Sequence, residues 1–183
     1  MVSGNLLALA LALSFIVTGC TGGPPILSAY GDYYFRGQRR PVELTPHSGV
    51  DFGGGLGVPI LAAADGDVYA LIPSQSRCGT GVAIAHGEYP LRRFTVYCHL
   101  QERFVNWGQR VTRGEIIGLM GDTGVTGGVP HLHFEVNLTG MSHPTAIPGI
   151  SFDPMPFIVG CFDPNKTYPT DKLVLTHPVK CQD

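Results

Sequence analysis

Residues 131–136 read His-Leu-His-Phe-Glu-Val, and the alternation of this run sets the fold class. β-favouring residues in alternation mark a strand, in which positions i and i+2 face the same side about 6 to 7 Å apart. His131 and His133 therefore converge on one small site, and Glu135 shares their face by the same counting. That makes Glu135 either a hydrogen-bond acceptor behind the histidines or a solvent-facing carboxylate. Working outward, strand-like runs recur at Pro59–Leu61, Gly66–Ile72, Gly81–His86, Phe94–His99, Arg110–Val111 and Ile116–Met120, while the first run extends to Leu138. Glycine-rich turns separate them, a pattern that predicts an all-β fold of antiparallel strands. Residues 101–107 hold the only plausible helical turn and are read as a loop with Trp107 packed.

Upstream, His47-Ser-Gly-Val-Asp51 sets another histidine near a carboxylate. On an extended strand these ends would lie about 13 Å apart, too far to share a cation with bonds of about 2 Å. The chain must turn, and Gly49 is where the turn is expected. Pro46 before the motif and Gly53, Gly54 and Gly55 after it argue against a helix. His99, in Thr-Val-Tyr-Cys-His-Leu, offers a further imidazole. Zinc accepts imidazole nitrogen and carboxylate oxygen, and a catalytic site keeps three protein ligands with one position open. Any single histidine is more often an ordinary core or surface residue, but the joint arrangement points to Zn2+. His86, His143 and His177 are read as ordinary.

The chain resembles the LytM/lysostaphin-type zinc metalloendopeptidases, which cut peptide bonds in the bacterial cell wall. The matching stretches are His47–Phe52, Pro59–Val68, Tyr97–Leu100, Gly108–Gly118, Gly121–Gly124 and Pro130–Glu135, with Asp153–Ile158 resembling the closing segment. The resemblance runs in order from about Pro41 to Val159. It implies a twisted antiparallel sheet forming a groove with zinc on its floor, a lysostaphin-like barrel-sandwich hybrid. It also implies zinc ligands His47, Asp51 and His133, with His131 and His99 as the catalytic pair. His131 is the candidate base, because an unligated imidazole takes and returns protons near pH 7. His99 would orient the water or stabilise the oxyanion. The implied substrates are peptidoglycan stem or bridge peptides. Two other readings compete: a silent relative that activates another wall hydrolase, and a zinc endopeptidase acting on proteins. All five site positions are present, which argues against silence.

Cys98 departs from the family pattern, in which a small residue precedes the histidine. Strand alternation turns it away from His99, so a structural role is expected. Leu6–Val17 is a short apolar run ending at Val17-Thr-Gly-Cys20, which resembles a lipoprotein signal with Cys20 as the lipidated residue. Setting Cys20 aside leaves Cys78, Cys98, Cys161 and Cys181 as an even set. Pairing Cys78 with Cys98 and Cys161 with Cys181 keeps each bridge local. The expected division is a signal peptide over 1–19, a tether over 20–40, the metallopeptidase domain over 41–159 and a disulfide-bearing extension over 160–183 that wraps the surface. This organisation places the protein in the cell envelope, as a periplasmic or outer-membrane lipoprotein held to a membrane by its anchor. A monomer is expected. The 183 residues carry 25 glycines, 15 prolines and a formal charge of -2, which suits a turn-rich β protein and offers no nucleic-acid surface.

Overall fold

A computed structural model describes residues 22–90 and 92–181; the apolar leader and Cys20 lie outside them. Its strands are β1 (Ile26–Ser28), β2 (Tyr34–Phe35), β3 (Gln38–Arg39), β4 (Val50–Phe52), β5 (Pro59–Leu61), β6 (Gly66–Ile72) and β7 (Gly81–His86). They continue with β8 (Arg93–Cys98), β9 (Leu100–Arg103), β10 (Arg110–Val111), β11 (Ile116–Met120), β12 (Leu132–Asn137) and β13 (Ser151–Phe152). Two single 3-10 turns are the only helical elements among the described residues.

The main sheet runs β1-β4-β12-β8-β7-β6-β10, with β13 also on β12, and every pairing is antiparallel. A second sheet, β5-β11-β9, shares its core. β12 is central because it serves both faces. Leu132, Phe134 and Val136 join Phe52, Ile84, Tyr97, Ile117 and Met120 in a fully buried apolar cluster. Burying each such side chain contributes about 1.5–3 kcal/mol. The opposite face of β12 presents His133, Glu135 and Asn137.

Register then places the motifs. His133 lies directly across from Asp51 on β4 and from Cys98 on β8. The chain bends at Ser48 and Gly49 before entering β4. Gly49 is required there by close approach, because a Cβ would collide with the Phe134 carbonyl oxygen. Cys78 is bonded to Cys98 and Cys161 to Cys181.

Four expectations need correction. Residues 24–40 are not a free tether: β1 pairs with β4, and the Gly31 and His47 amides bond the His47 and Asp32 carbonyls at 2.8 and 3.0 Å. Residues 101–107 start as strand β9 rather than a loop, and Trp107 is 74% exposed, its indole donating to the Tyr69 carbonyl. His99 is not in the strand that ends at Cys98, for its φ is 65° and it forms the bend between β8 and β9. The tail does more than wrap the surface: Leu175 is fully buried in the core, and Val179 bridges Ile60. The physical reasons are common to all four. These segments are short, irregular and joined to distant chain, so local alternation carries no sign of them.

His86 is buried at the end of β7. One ring nitrogen lies 2.8 Å from the Asp65 carbonyl and the other 2.8 Å from Thr95 Oγ1, which in turn sits 3.1 Å from the buried Tyr97 hydroxyl. Burial lowers the pKa of His86 to about 4. The unfolded chain takes up this proton near pH 6.5, whereas the folded chain resists it until about pH 4. The stabilisation is therefore complete above pH 6.5 and is lost as pH falls toward 4, by about 3 kcal/mol in all. Urea unfolding in EDTA at pH 7 and pH 4.5 should show this loss, and His86→Gln should lose less over the same interval. An equal loss in both proteins would remove His86 as the cause.

Candidate metal centre

Three donor atoms from β4, its approach and β12 meet at one point. His47 Nε2 lies 3.0 Å from Asp51 Oδ1 and 2.9 Å from His133 Nδ1, and His133 Nδ1 lies 2.9 Å from the same Asp51 oxygen. All three residues are buried. Their remaining nitrogens are committed elsewhere. His47 Nδ1 is 2.8 Å from the Ala29 carbonyl, and His133 Nε2 is 2.9 Å from Glu135 Oε1. Each of these bonds needs the proton on the outer nitrogen, which leaves the inner lone pair facing the shared point. Two lone pairs and a carboxylate oxygen facing one another call for a positive charge between them. A tetrahedral ion with bonds of about 2.0–2.1 Å spaces its ligands about 3.3 Å apart, close to what is found here. The residues fit zinc.

The electrostatics agree. Burial opposes charge on Asp51, but hydrogen bonds with His133 and His47 outweigh it and hold the carboxyl well below its usual range. Burial likewise opposes charge on His133, yet its bonds to Asp51 and Glu135 push it up to about 9. Burial leaves His47 lowered in spite of Asp51. In the metal-free pocket the Asp51 and Glu135 carboxylates thus hold a proton on His133, and a bound cation would take that proton's place.

Glu135 resolves to the acceptor alternative. It is fully buried and takes Ser48 Oγ at 2.6 Å, His133 at 2.9 Å, Asn137 Nδ2 at 3.0 Å and the His143 amide at 3.2 Å. A carboxylate behind a ligating histidine fixes its tautomer and raises its basicity. Ser48, the Ser142 hydroxyl and the His143 amide were not singled out by sequence, although His143 lines the cleft above this network.

His131 and His99 stand beside the triad, ring centroids 4.7 Å apart. His131 Nδ1 bonds the Val129 carbonyl at 2.8 Å, and His99 Nδ1 bonds the Thr123 carbonyl at 2.7 Å. Both therefore carry the proton on Nδ1 and leave Nε2 as an acceptor; His131 Nε2 is 3.6 Å from Asp51 Oδ1. Burial lowers His131, and lowers His99 to about 3 with help from the neighbouring imidazoles. The positive φ of His99 aims its ring; such non-glycine outliers gather at functional sites. A cleft of about 260 Å³ opens over this floor, its walls including Arg40, Arg77 and Met141.

Sequence reasoning missed Arg40. Its Nη2 lies 2.6 Å from Asp51 Oδ2 and 2.9 Å from Ser28 Oγ, and its guanidinium sits 5.2 Å from the Phe35 ring. Phe35 in turn packs 5.2 Å from His131. Nothing local to Arg36-Gly-Gln-Arg-Arg40 marks one arginine as buried.

Two histidines and a carboxylate around one point, flanked by two acceptor imidazoles, are the donor set of a mononuclear metallohydrolase. Residues 45–144 match the model of the family described as Peptidase family M23, and the chain belongs to that family. It is 41% identical over 99 residues to the peptidoglycan DD-endopeptidase ShyA of Vibrio cholerae, an alignment covering 54% of this chain and 22% of the relative. The catalytic domain of the antimicrobial peptidase lysostaphin from Staphylococcus simulans superposes with a TM-score of 0.58 at 29% identity, covering 73% of this chain and 91% of that one. A zinc containing peptidase from Vibrio cholerae gives 0.55 at 30% identity over 73% of this chain and 36% of its own. The chain spans about a fifth of the length of these curated relatives.

Proposed function

We propose that this protein is a zinc-dependent endopeptidase that hydrolyses peptide bonds in peptidoglycan cross-links. The observation that carries the reading is the convergence of His47, Asp51 and His133 within 3.0 Å, with two acceptor imidazoles alongside. His47 Nε2, Asp51 Oδ1 and His133 Nδ1 would hold the ion. When bound, zinc supplies Lewis-acid polarisation of the scissile carbonyl and makes water more acidic at the site.

The chain's own residues then divide the remaining work. His131 Nε2 takes the proton of the attacking water and returns it to the leaving amine. His99 Nε2 accepts a hydrogen bond from that water and orients it. Of the two roles open to His99, orientation is favoured, because an oxyanion donor needs a proton on Nε2 and the Thr123 carbonyl holds it on Nδ1. Glu135 keeps His133 in the ligating tautomer. The cleft that would receive the peptide is lined by His143, Met141 and Arg77. The reading includes action as a monomer in the cell envelope, anchored through a lipidated Cys20.

Purified peptidoglycan incubated with the zinc-loaded protein should release cross-linked peptides that mass spectrometry identifies. Chelation should stop the release, and added zinc should restore it. Using one wall cross-linked through diamino-acid stem peptides and one through glycine bridges identifies the bond. A protein that holds zinc yet releases nothing from either wall, while activating a partner hydrolase, overturns the proposal.

A further inference from the structure

The family match begins at residue 45, yet much of what holds the metal-facing groups comes from before it. β1 pairs with β4 and sets Ser28 opposite Asp51. The Ala29 carbonyl takes the Nδ1 proton of His47, and the backbone of Gly31 and Asp32 bonds the His47 backbone on both sides. Arg40 then reaches Asp51 itself. Its side chain is 12% exposed, and Asp51's is 1% exposed.

Resting on the metal reading above, we propose that Arg40 is a positioning residue of the metal centre, holding Asp51 so that it offers a single oxygen to the ion. The geometry is explicit. Asp51 Oδ1 is the atom near both His47 Nε2 and His133 Nδ1, whereas Oδ2 is taken by Arg40 Nη2. The same Nη2 bonds Ser28 Oγ, so the guanidinium is a rigid bridge between β1 and the ligand on β4. A planar donor of fixed geometry sets the rotation of a carboxylate in a way that a flexible ammonium does not. Arg40 Nε is buried with no hydrogen-bond partner among the described residues. A guanidinium that leaves one donor unpaired is held by its contacts at Nη2 and by the Phe35 ring, not by its own full satisfaction. With Oδ2 free, the carboxylate could rotate or swing toward both imidazoles, and the three-atom meeting point would be lost.

The test reads metal affinity and ligand geometry, neither of which depends on what bond is cut. Zinc affinity is measured by competition with a chromophoric chelator, and cobalt(II) replaces zinc so that its d–d spectrum reports the ligand field. Outer partners of metal ligands typically change affinity by about 10–100-fold when removed. Arg40→Ala should weaken zinc by about that factor and alter the cobalt spectrum. Arg40→Lys should recover only part of the loss, and Ser28→Ala should shift both readouts in the same direction by a smaller amount. Circular dichroism of the metal-free variants checks the fold; should Arg40→Ala not fold, the lysine and Ser28→Ala variants decide. Affinity and spectrum unchanged in Arg40→Ala overturn the proposal, or unchanged in both other variants if alanine does not fold. Full recovery with lysine also overturns it, reducing the role to charge. If the wild type binds zinc and cuts nothing, only the peptidase reading falls. If it binds no zinc, the metal reading and this one fall together.

Discussion

Replacing His131 by alanine is expected to lower peptide-bond turnover by about two to four orders of magnitude while leaving zinc content unchanged. General-base assistance is worth about that range, or roughly 3–5 kcal/mol of barrier. The metal content should hold because His131 stands outside the triad: its Nε2 is 3.6 Å from Asp51 Oδ1, whereas the triad atoms lie within 3.0 Å of one another. The fold should hold too, since the ring touches Phe35 and His99 at the site rather than the main apolar core. Single-turnover cleavage of a defined cross-linked peptide, with metal analysis of the same samples, separates the two effects. Turnover within tenfold of wild type would move the base to His99, whose Nε2 is the other acceptor beside the triad.

Asp51→Ala is expected to abolish zinc binding and, with it, activity. The substitution removes the oxygen common to two of the three close contacts and also strips Arg40 of its carboxylate. A buried charge left without its partner costs about 3–5 kcal/mol, so the metal-free variant should also unfold at lower urea than the metal-free wild type. A double replacement, Asp51→Ala with Arg40→Leu, should regain part of that stability without regaining zinc, since it removes the stranded charge but restores no ligand. Zinc retained by Asp51→Ala would sink the ligand assignment. Equal stability of the single and double variants would show that Arg40 finds water or another acceptor once Asp51 is gone.

How much of this was legible depends on how each residue is held. The all-β class followed from the alternation at His131–Val136 and its sister runs, because a period of two is written locally. The meeting of His47, Asp51 and His133 followed from motif spacing and family resemblance; the physical cause, Asp51 registered across from His133, is a tertiary fact. Glu135 was half legible: its face could be counted, but its burial depends on Ser48 and residues 142–143 folding over it. The turn of His99 out of its strand was not legible, since nothing in Tyr-Cys-His-Leu requires a positive φ. Arg40 was least so. Three arginines in five residues read as a solvated tether, and only the pairing of β1 with β4 carries one of them inward.

With a lipid on Cys20, that pairing would also limit how far the protein can work. Three residues, 21–23, separate Cys20 from Pro24, which is buried, and the Pro25 carbonyl accepts the Gly53 amide at 2.8 Å just before β1. Fully extended, the stretch from Cys20 to Pro24 would span about 14 Å. A lipid at Cys20 would therefore keep the cleft within roughly one domain's width of the bilayer, and only cross-links in the nearest layer of wall would come within reach. Cutting farther out would require β1 to peel from β4, which would also withdraw the brace on His47 and Asp51. Reach and catalytic competence would then be traded against each other through one short strand.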